Sequence, residues 1–399
     1  MRSGYIIIDS DRHLLEPPTL WIDRMDNKYR DRAPHIVGEF SATVLVDGST
    51  NNGGTKWNGM TREQLLAARR SGSLLPGFGN DIHWRSTYYD AICNDFDSAS
   101  YVRDMDRSGV DVAVCFGSAQ LYFNWRDKLD AEFAAATCRA YNDWLHEYCS
   151  IAPYRVFGIA SVPMQDVKLA VQEATRAVKD LGLVGFYLRP NPLLGRQWHD
   201  KEYDYFYSAV EELGKPICFH EGASTNMPQA RLPYGKTFYS RHAMSHPFEN
   251  MLASLSMCAL GVFERHPKLN AFFAECTCGW IPPWVDWMDD LIENPAFNQG
   301  VKLKEKPSVY YKRQGMVSCE SGDETLPSTE ALIGQDNMLW ASDYPHPDET
   351  MKFPETVMPM VTDEHISRDF IRKILWDNPN QFFGLGLNAS AYQNKEAAE

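Results

Sequence analysis

No apolar run in this chain approaches the roughly 18 residues that a bilayer-spanning helix needs. No Gly-rich dinucleotide or phosphate-loop signature follows any apolar run, which removes the usual nucleotide sites. Gly-x-Ser-x-Gly is missing, and no cysteine stands in a recognisable protease context, so the common nucleophile readings fail. Positive charge is scarce. With 39 Lys and Arg against 53 Asp and Glu, the net charge of −14 argues against nucleic acid or an anionic membrane as main partner. The nine cysteines are odd in number and lack a framework spacing, which reads as reduced thiols in a cytoplasmic protein. The start of the chain enters a strand pattern within a few residues, with no signal peptide expected. Internal repeats and low-complexity tracts are also missing.

What is present is apolar sequence enough for a folded core, 44% of the residues. At 399 residues the chain suits one large α/β barrel with insertions, or two domains. Eight short apolar runs recur: 5–13, 111–116, 156–161, 184–188, 216–220, 271–275, one near 316–319, and 338–343. They are mostly continuous rather than alternating, as expected of strands buried on both faces of a parallel sheet. Helical patterns fall between them, at 130–148, 167–181, 204–213, 248–265 and 328–333. This alternation predicts a (β/α)8 barrel, one domain over residues 1–385 with a frayed tail at 386–399. Residues 32–101 break the pattern after the first strand and are expected as a lid-like insertion, with a short helix at 61–70. A second excursion, 280–311, carries Trp280, Trp284 and Trp287 and is expected to wall the pocket or form a subunit contact.

Several runs end on residues that are costly to bury alone. Asp11 and His13 end the first, His220 the fifth, Glu275 the sixth and Asp343 the last. A parallel barrel brings strand ends to one rim, where such side chains can share a metal. Asp11 and His13 are two apart, so in a strand both face the same side. The bland alternative is a strand-end pair that bonds loop backbone. His220 suits ligation through one ring nitrogen, the other being fixed by an acceptor, although a lone histidine is more often a satisfied core residue. Glu221 should point away from the side that His220 faces. Glu275 is a ligand, a general base or the partner of an arginine; Cys276 and Cys278 beside it read as core or loop thiols. Asp343 suits metal binding and proton transfer. His346, in a Pro-bounded loop, touches substrate or is simply solvated. His246, before Pro247, is a further ligand, an acid/base group or a helix cap. Arg189 ends the fourth run and suits a substrate carboxylate, or else a structural salt bridge.

These residues resemble the amidohydrolase-related family typified by aminocarboxymuconate-semialdehyde decarboxylase. The resemblance runs from Asp9, Asp11, His13, Glu16 and Pro17 through Cys138–Trp144, Leu188–Asn191, Phe219–Gly222, His246–Glu249 and Glu275 with Cys278-Gly279-Trp280 to Ala341–His346. It implies a metal-dependent (β/α)8 barrel that hydrolyses or non-oxidatively decarboxylates a small carboxylate-bearing, largely apolar substrate, assembled as two or four subunits. By position, the implied ligands are Asp11, His13, His220 and Asp343. Two departures stand out: Asp11-x-His13 replaces a common His-x-His, and Glu275 stands where the decarboxylase type has a catalytic histidine. Both trade imidazole for carboxylate, which favours iron or manganese over zinc, as one ion or two. A carboxylate-rich site also resembles a non-haem diiron hydroxylase branch of diterpenoid (platensimycin-type) biosynthesis. The alternative function is therefore a diiron monooxygenase acting on a bulky apolar acid or thioester.

Overall fold

The computed structural model describes residues 2–37, 43–45, 61–70, 81–122, 129–191, 193–221, 237–298, 300–347 and 351–393. Eight parallel strands form one sheet: β1 (Ile8–Leu14), β4 (Val112–Gly117), β5 (Val156–Ser161), β6 (Gly185–Leu188), β7 (Ile217–Phe219), β8 (Ala271–Phe273), β9 (Gly315–Cys319) and β10 (Met338–Trp340), paired in that order. The remaining two, β2 (His35–Val37) and β3 (Thr43–Leu45), pair antiparallel within the insertion. The sheet closes on itself. Asp343 N–H donates to the Asp11 carbonyl at 3.0 Å, and His13 N–H donates to the Tyr344 carbonyl at 2.6 Å. All eight expected runs are strands of this barrel, and their side chains are almost wholly buried.

Helices separate the strands as the pattern implied. Ala131–Cys149 starts where the Asp130 carboxylate accepts the Phe133 N–H at 2.9 Å. Val167–Lys179 buries Ala170, Ala174 and Ala177, one face of a 3.6-residue period. One helix differs from expectation. The segment before β8 begins at Phe238, not Phe248, and Pro247 lies inside it. Thr237 caps it through its hydroxyl, which accepts the Ser240 N–H at 3.1 Å. Pro247 removes one backbone donor, and the turns on either side carry the helix through. His246 is therefore a mid-helix residue, which corrects the capping alternative.

Two further segments fix the surroundings of the rim. In the insertion, the buried Trp84 donates its indole N–H to the Pro345 carbonyl at 2.7 Å, tying Ile82–Thr87 to the loop after β10. The glycine-containing stretches 51–54 and 77–80 lie outside the described residues. In the excursion after β8, Trp280 packs edge-on against Phe273 and Trp284 donates to Ser254 Oγ, whereas Trp287 is exposed. Of the tail expected to fray, residues 386–393 are described and packed, and 394–399 lie outside the described residues. Ser390–Gln393 is helical, Tyr392 is buried against Trp376, and its hydroxyl bonds the Tyr154 carbonyl. One aromatic anchor outweighs the polar residues around it. Among the described residues no helix is long and apolar enough to cross a membrane. All nine cysteines are free thiols.

Candidate metal centre

β1 carries an extra residue between Asp9 and Arg12 relative to β4. Such a bulge re-aims side chains at a strand end. Here Arg12 turns behind the sheet, 4.0 Å over the Tyr344 ring, while Asp11 and His13 face the centre. Asp9 stays behind with Arg12. Its carboxylate accepts both the Ser342 N–H (3.0 Å) and the Ser342 hydroxyl (2.5 Å). This clip holds the segment that presents Asp343, whose backbone sits in the left-handed region at φ 62°. Glu275 adopts the same region at φ 50°. Non-glycine residues there cost on the order of 1–3 kcal/mol and cluster at functional sites.

The strand-end donors converge. His13 Nε2 lies 3.1 Å from His220 Nε2, 3.1 Å from Asp343 Oδ1 and 3.5 Å from Asp11 Oδ1. His220 Nε2 lies 3.3 Å from Asp11 Oδ2 and 3.2 Å from Glu275 Oε2. Donors about 2.1 Å from a common ion stand about 3.0–3.4 Å apart in octahedral or tetrahedral arrangements, so the mutual spacings of Asp11, His13 and His220 fit one cation, with Asp343 within reach of the same His13 nitrogen. The carboxylate oxygens of Asp11 and Asp343 are buried, with no well-aligned hydrogen bond to satisfy them. Buried carboxylates left in that condition are costly, and a divalent cation answers the need. His220 Nδ1 donates to the Glu221 carbonyl at 2.6 Å, which leaves Nε2 as the lone-pair nitrogen aimed inward.

Electrostatics prepare the donors. Burial pushes His13 down to about 4, keeping its imidazole neutral as a ligand must be. Burial opposes charge on Asp343, yet His346 and His13 outweigh it and hold that carboxyl well below the usual range. Burial likewise disfavours charge on His220, but Asp11 beside it raises its value. His246 is pushed down to about 3 by burial.

The sequence profile of the amidohydrolase family matches residues 8–385. The chain belongs to the amidohydrolase family. Its relatives of known activity are decarboxylases. The 2-amino-3-carboxymuconate-6-semialdehyde decarboxylase of Dictyostelium discoideum is 27% identical over 265 residues, 64% of this chain and 68% of that one. A gamma-resorcylate decarboxylase of Polaromonas is 27% identical over 301 residues, 71% of this chain and 86% of the relative. Among solved structures, 5-carboxyvanillate decarboxylase of Sphingomonas paucimobilis superposes with a TM-score of 0.66 at 20% identity, covering 96% of this chain and 99% of that one. A dihydroxybenzoic acid decarboxylase of Polaromonas, with bound manganese and the inhibitor 2-nitroresorcinol, gives 0.63 at 21%, covering 97% and 99%. At such identities the structural likeness concerns the fold. These relatives do not favour the diiron oxygenase alternative.

The structure brings Asp11, His13, His220, Glu275 and Asp343 to one rim, with His246 beside Glu275 (Nδ1 to Oε1, 3.3 Å). Arg189 stands apart from that group. Its guanidinium is buried against Glu221 and, at 3.8 Å, Glu249. Two neighbours carried weaker sequence signals. His346 contacts Asp343 (Nδ1 to Oδ1, 2.8 Å), stacks on His13 and meets the Ser118 hydroxyl at 3.1 Å. Only its spacing of three from Asp343 hinted at this. Glu16 accepts the N–H groups of Ala119 and Gln120, so it braces the β4 end instead of joining the donors. Gly117 leaves room for it, since a Cβ there would come within 2.4 Å of Glu16 Oε1.

Proposed function

We propose that this amidohydrolase removes a carboxyl group, as carbon dioxide, from a small aromatic or conjugated carboxylic acid without redox change. The observation that carries this reading is the convergence of Asp11, His13, His220 and Asp343, from strands at opposite ends of the chain, with donor spacings of 3.1–3.5 Å. The named decarboxylase relatives support it. These four residues hold a divalent cation, and their two carboxylates favour manganese or iron over zinc. When bound, that cation supplies Lewis acidity toward a substrate oxygen.

The remaining work belongs to the chain. Breaking the C–COO⁻ bond leaves an electron pair on carbon, and a proton must reach that carbon as carbon dioxide departs. Asp343, ionised and held in place by His346 and the Asp9–Ser342 clip, takes a proton from a water molecule and passes it to that carbon. Glu275 and His246 line the same rim as further acid/base or ligand groups. Arg189 acts as a positioning residue: it anchors Glu221, whose carbonyl orients His220. Of the 32–101 insertion, the described segment Ile82–Thr87, tied to the loop after β10 through Trp84, acts as part of a lid over the rim. We further assign a cytoplasmic homo-oligomer, which light scattering of the purified protein tests.

The deciding experiment incubates manganese-loaded enzyme with a panel of hydroxybenzoic and unsaturated acids. Carbon dioxide release with one deuterium taken from D2O into the product is expected. Dioxygen uptake with a reductant, and no carbon dioxide from any acid, would overturn the reading in favour of the diiron hydroxylase.

A further inference from the structure

Glu275 stands at φ 50° and Thr277 at φ 54°, in the left-handed region that a Cβ disfavours. Such a conformation persists where the surroundings over-determine it. The last bond of the β7–β8 ladder among the described residues runs from the Ala274 N–H to the Phe219 carbonyl at 2.9 Å. Beyond it, side chains take over from the strand. Asn250 donates to the Ala274 carbonyl at 3.1 Å and to the His246 carbonyl at 3.0 Å. His246 Nδ1 donates to the Glu275 carbonyl at 3.0 Å. The Cys276 N–H donates to Ser318 Oγ at 3.2 Å, and the Cys278 N–H to Asp323 Oδ2 at 3.3 Å.

Asn250 is the centre of this clamp. It is wholly buried on the helix Phe238–Ser254, and both of its bonds go to carbonyls. A carbonyl only accepts, so the NH2 and not the amide oxygen faces them, and both of its hydrogens are used. One side chain thus ties the residue before Glu275 to the helical turn that carries His246. Ser318, buried in β9, holds the residue after Glu275. Gripped on both sides, Glu275 places Oε2 3.2 Å from His220 Nε2 and Oε1 3.3 Å from His246 Nδ1.

We infer that Asn250 and Ser318 are positioning residues of the reaction, which fix the left-handed turn at Glu275 and so aim its carboxylate between His220 and His246. This rests on the proposed decarboxylation, with Glu275 at the reacting rim. Residues that aim a carboxylate matter to kcat only while there is a carboxylate to aim. Residues that merely support the fold cost the same with it or without it.

The test compares manganese-loaded wild type with Asn250→Leu, Ser318→Ala and Glu275→Gln, and with each of the first two combined with Glu275→Gln. Asn250→Leu and Ser318→Ala should each lower kcat for carbon dioxide release at least about tenfold, with KM held within about twofold, as when a reacting group is misplaced. On top of Glu275→Gln, each should lower kcat by less than about a further twofold, as groups acting as a unit do. Amide hydrogen exchange of the stretch 274–278, which needs no substrate, should quicken at least about tenfold in both single variants. If Asn250→Leu does not fold, Ser318→Ala carries both arms. Unchanged exchange overturns the clamp. Faster exchange with wild-type kcat, or kcat losses that multiply in full on Glu275→Gln, overturns the aiming role. If the wild type releases no carbon dioxide from any acid, the decarboxylase reading fails, and exchange alone decides the clamp.

Discussion

His346 stacks on His13 with ring centroids 4.0 Å apart, and the same imidazole reaches Asp343 through Nδ1 at 2.8 Å. One side chain thus braces donors from the first and last strands of the barrel. His346→Phe keeps the ring but loses both polar contacts. It should lower kcat or Mn2+ affinity by about 10–100-fold, the range for groups that orient metal ligands. Unchanged kcat and Kd would mean that the contact is incidental.

Metal and stability should be coupled. A ligand present at one hundred times its Kd stabilises the folded state by about 2.7 kcal/mol. Adding Mn2+ to chelator-treated protein should therefore raise Tm, and His220→Ala should abolish most of the rise. A His220→Ala variant that shifts as much as wild type would remove His220 from the ligand set.

Arg189 sits in a buried ion pair with Glu221. Truncating one partner of such a pair strands the other charge and costs about 3–5 kcal/mol. Arg189→Met should lose that much in urea denaturation, and Arg189→Met with Glu221→Gln should recover part of it. If the single variant is as stable as wild type but its KM rises steeply, Arg189 contacts substrate instead.

Asp9 holds Ser342 by two hydrogen bonds and lies 3.5 Å from the buried Arg12. Asp9→Ala leaves the buried Ser342 amide without its acceptor and should cost about 1–3 kcal/mol. Asp9→Asn should cost much less, because an amide still accepts the Ser342 N–H and its NH2 can donate to the hydroxyl. Equal losses in urea denaturation for the two variants would contradict this account.

How legible each feature was followed from its range in sequence. The eight strands were readable because burial on both faces demands continuous apolar runs. The donors at their ends were readable because a carboxylate or imidazole after such a run has little reason to be there except function. The helix start at Phe238 was not readable, since Pro247 masks helical periodicity locally. The packing of Ser390–Gln393 rests on Tyr392, a single aromatic in polar surroundings whose partners, Tyr154 and Trp376, are distant or unremarkable in sequence.

Sequence alone determined the kind of chemistry: which donors exist, that they fall at strand ends, and that carboxylates stand at Asp11 and Glu275. Tertiary structure decided their company. Ser342 meets Asp9 across 333 residues, and His13 meets His220 across 207. Arg189 faces two internal carboxylates, and His346 faces Asp343 and His13. The physical reason is that residue type and local period report burial, whereas the direction of a buried charge depends on which opposite charge the closed barrel brings beside it.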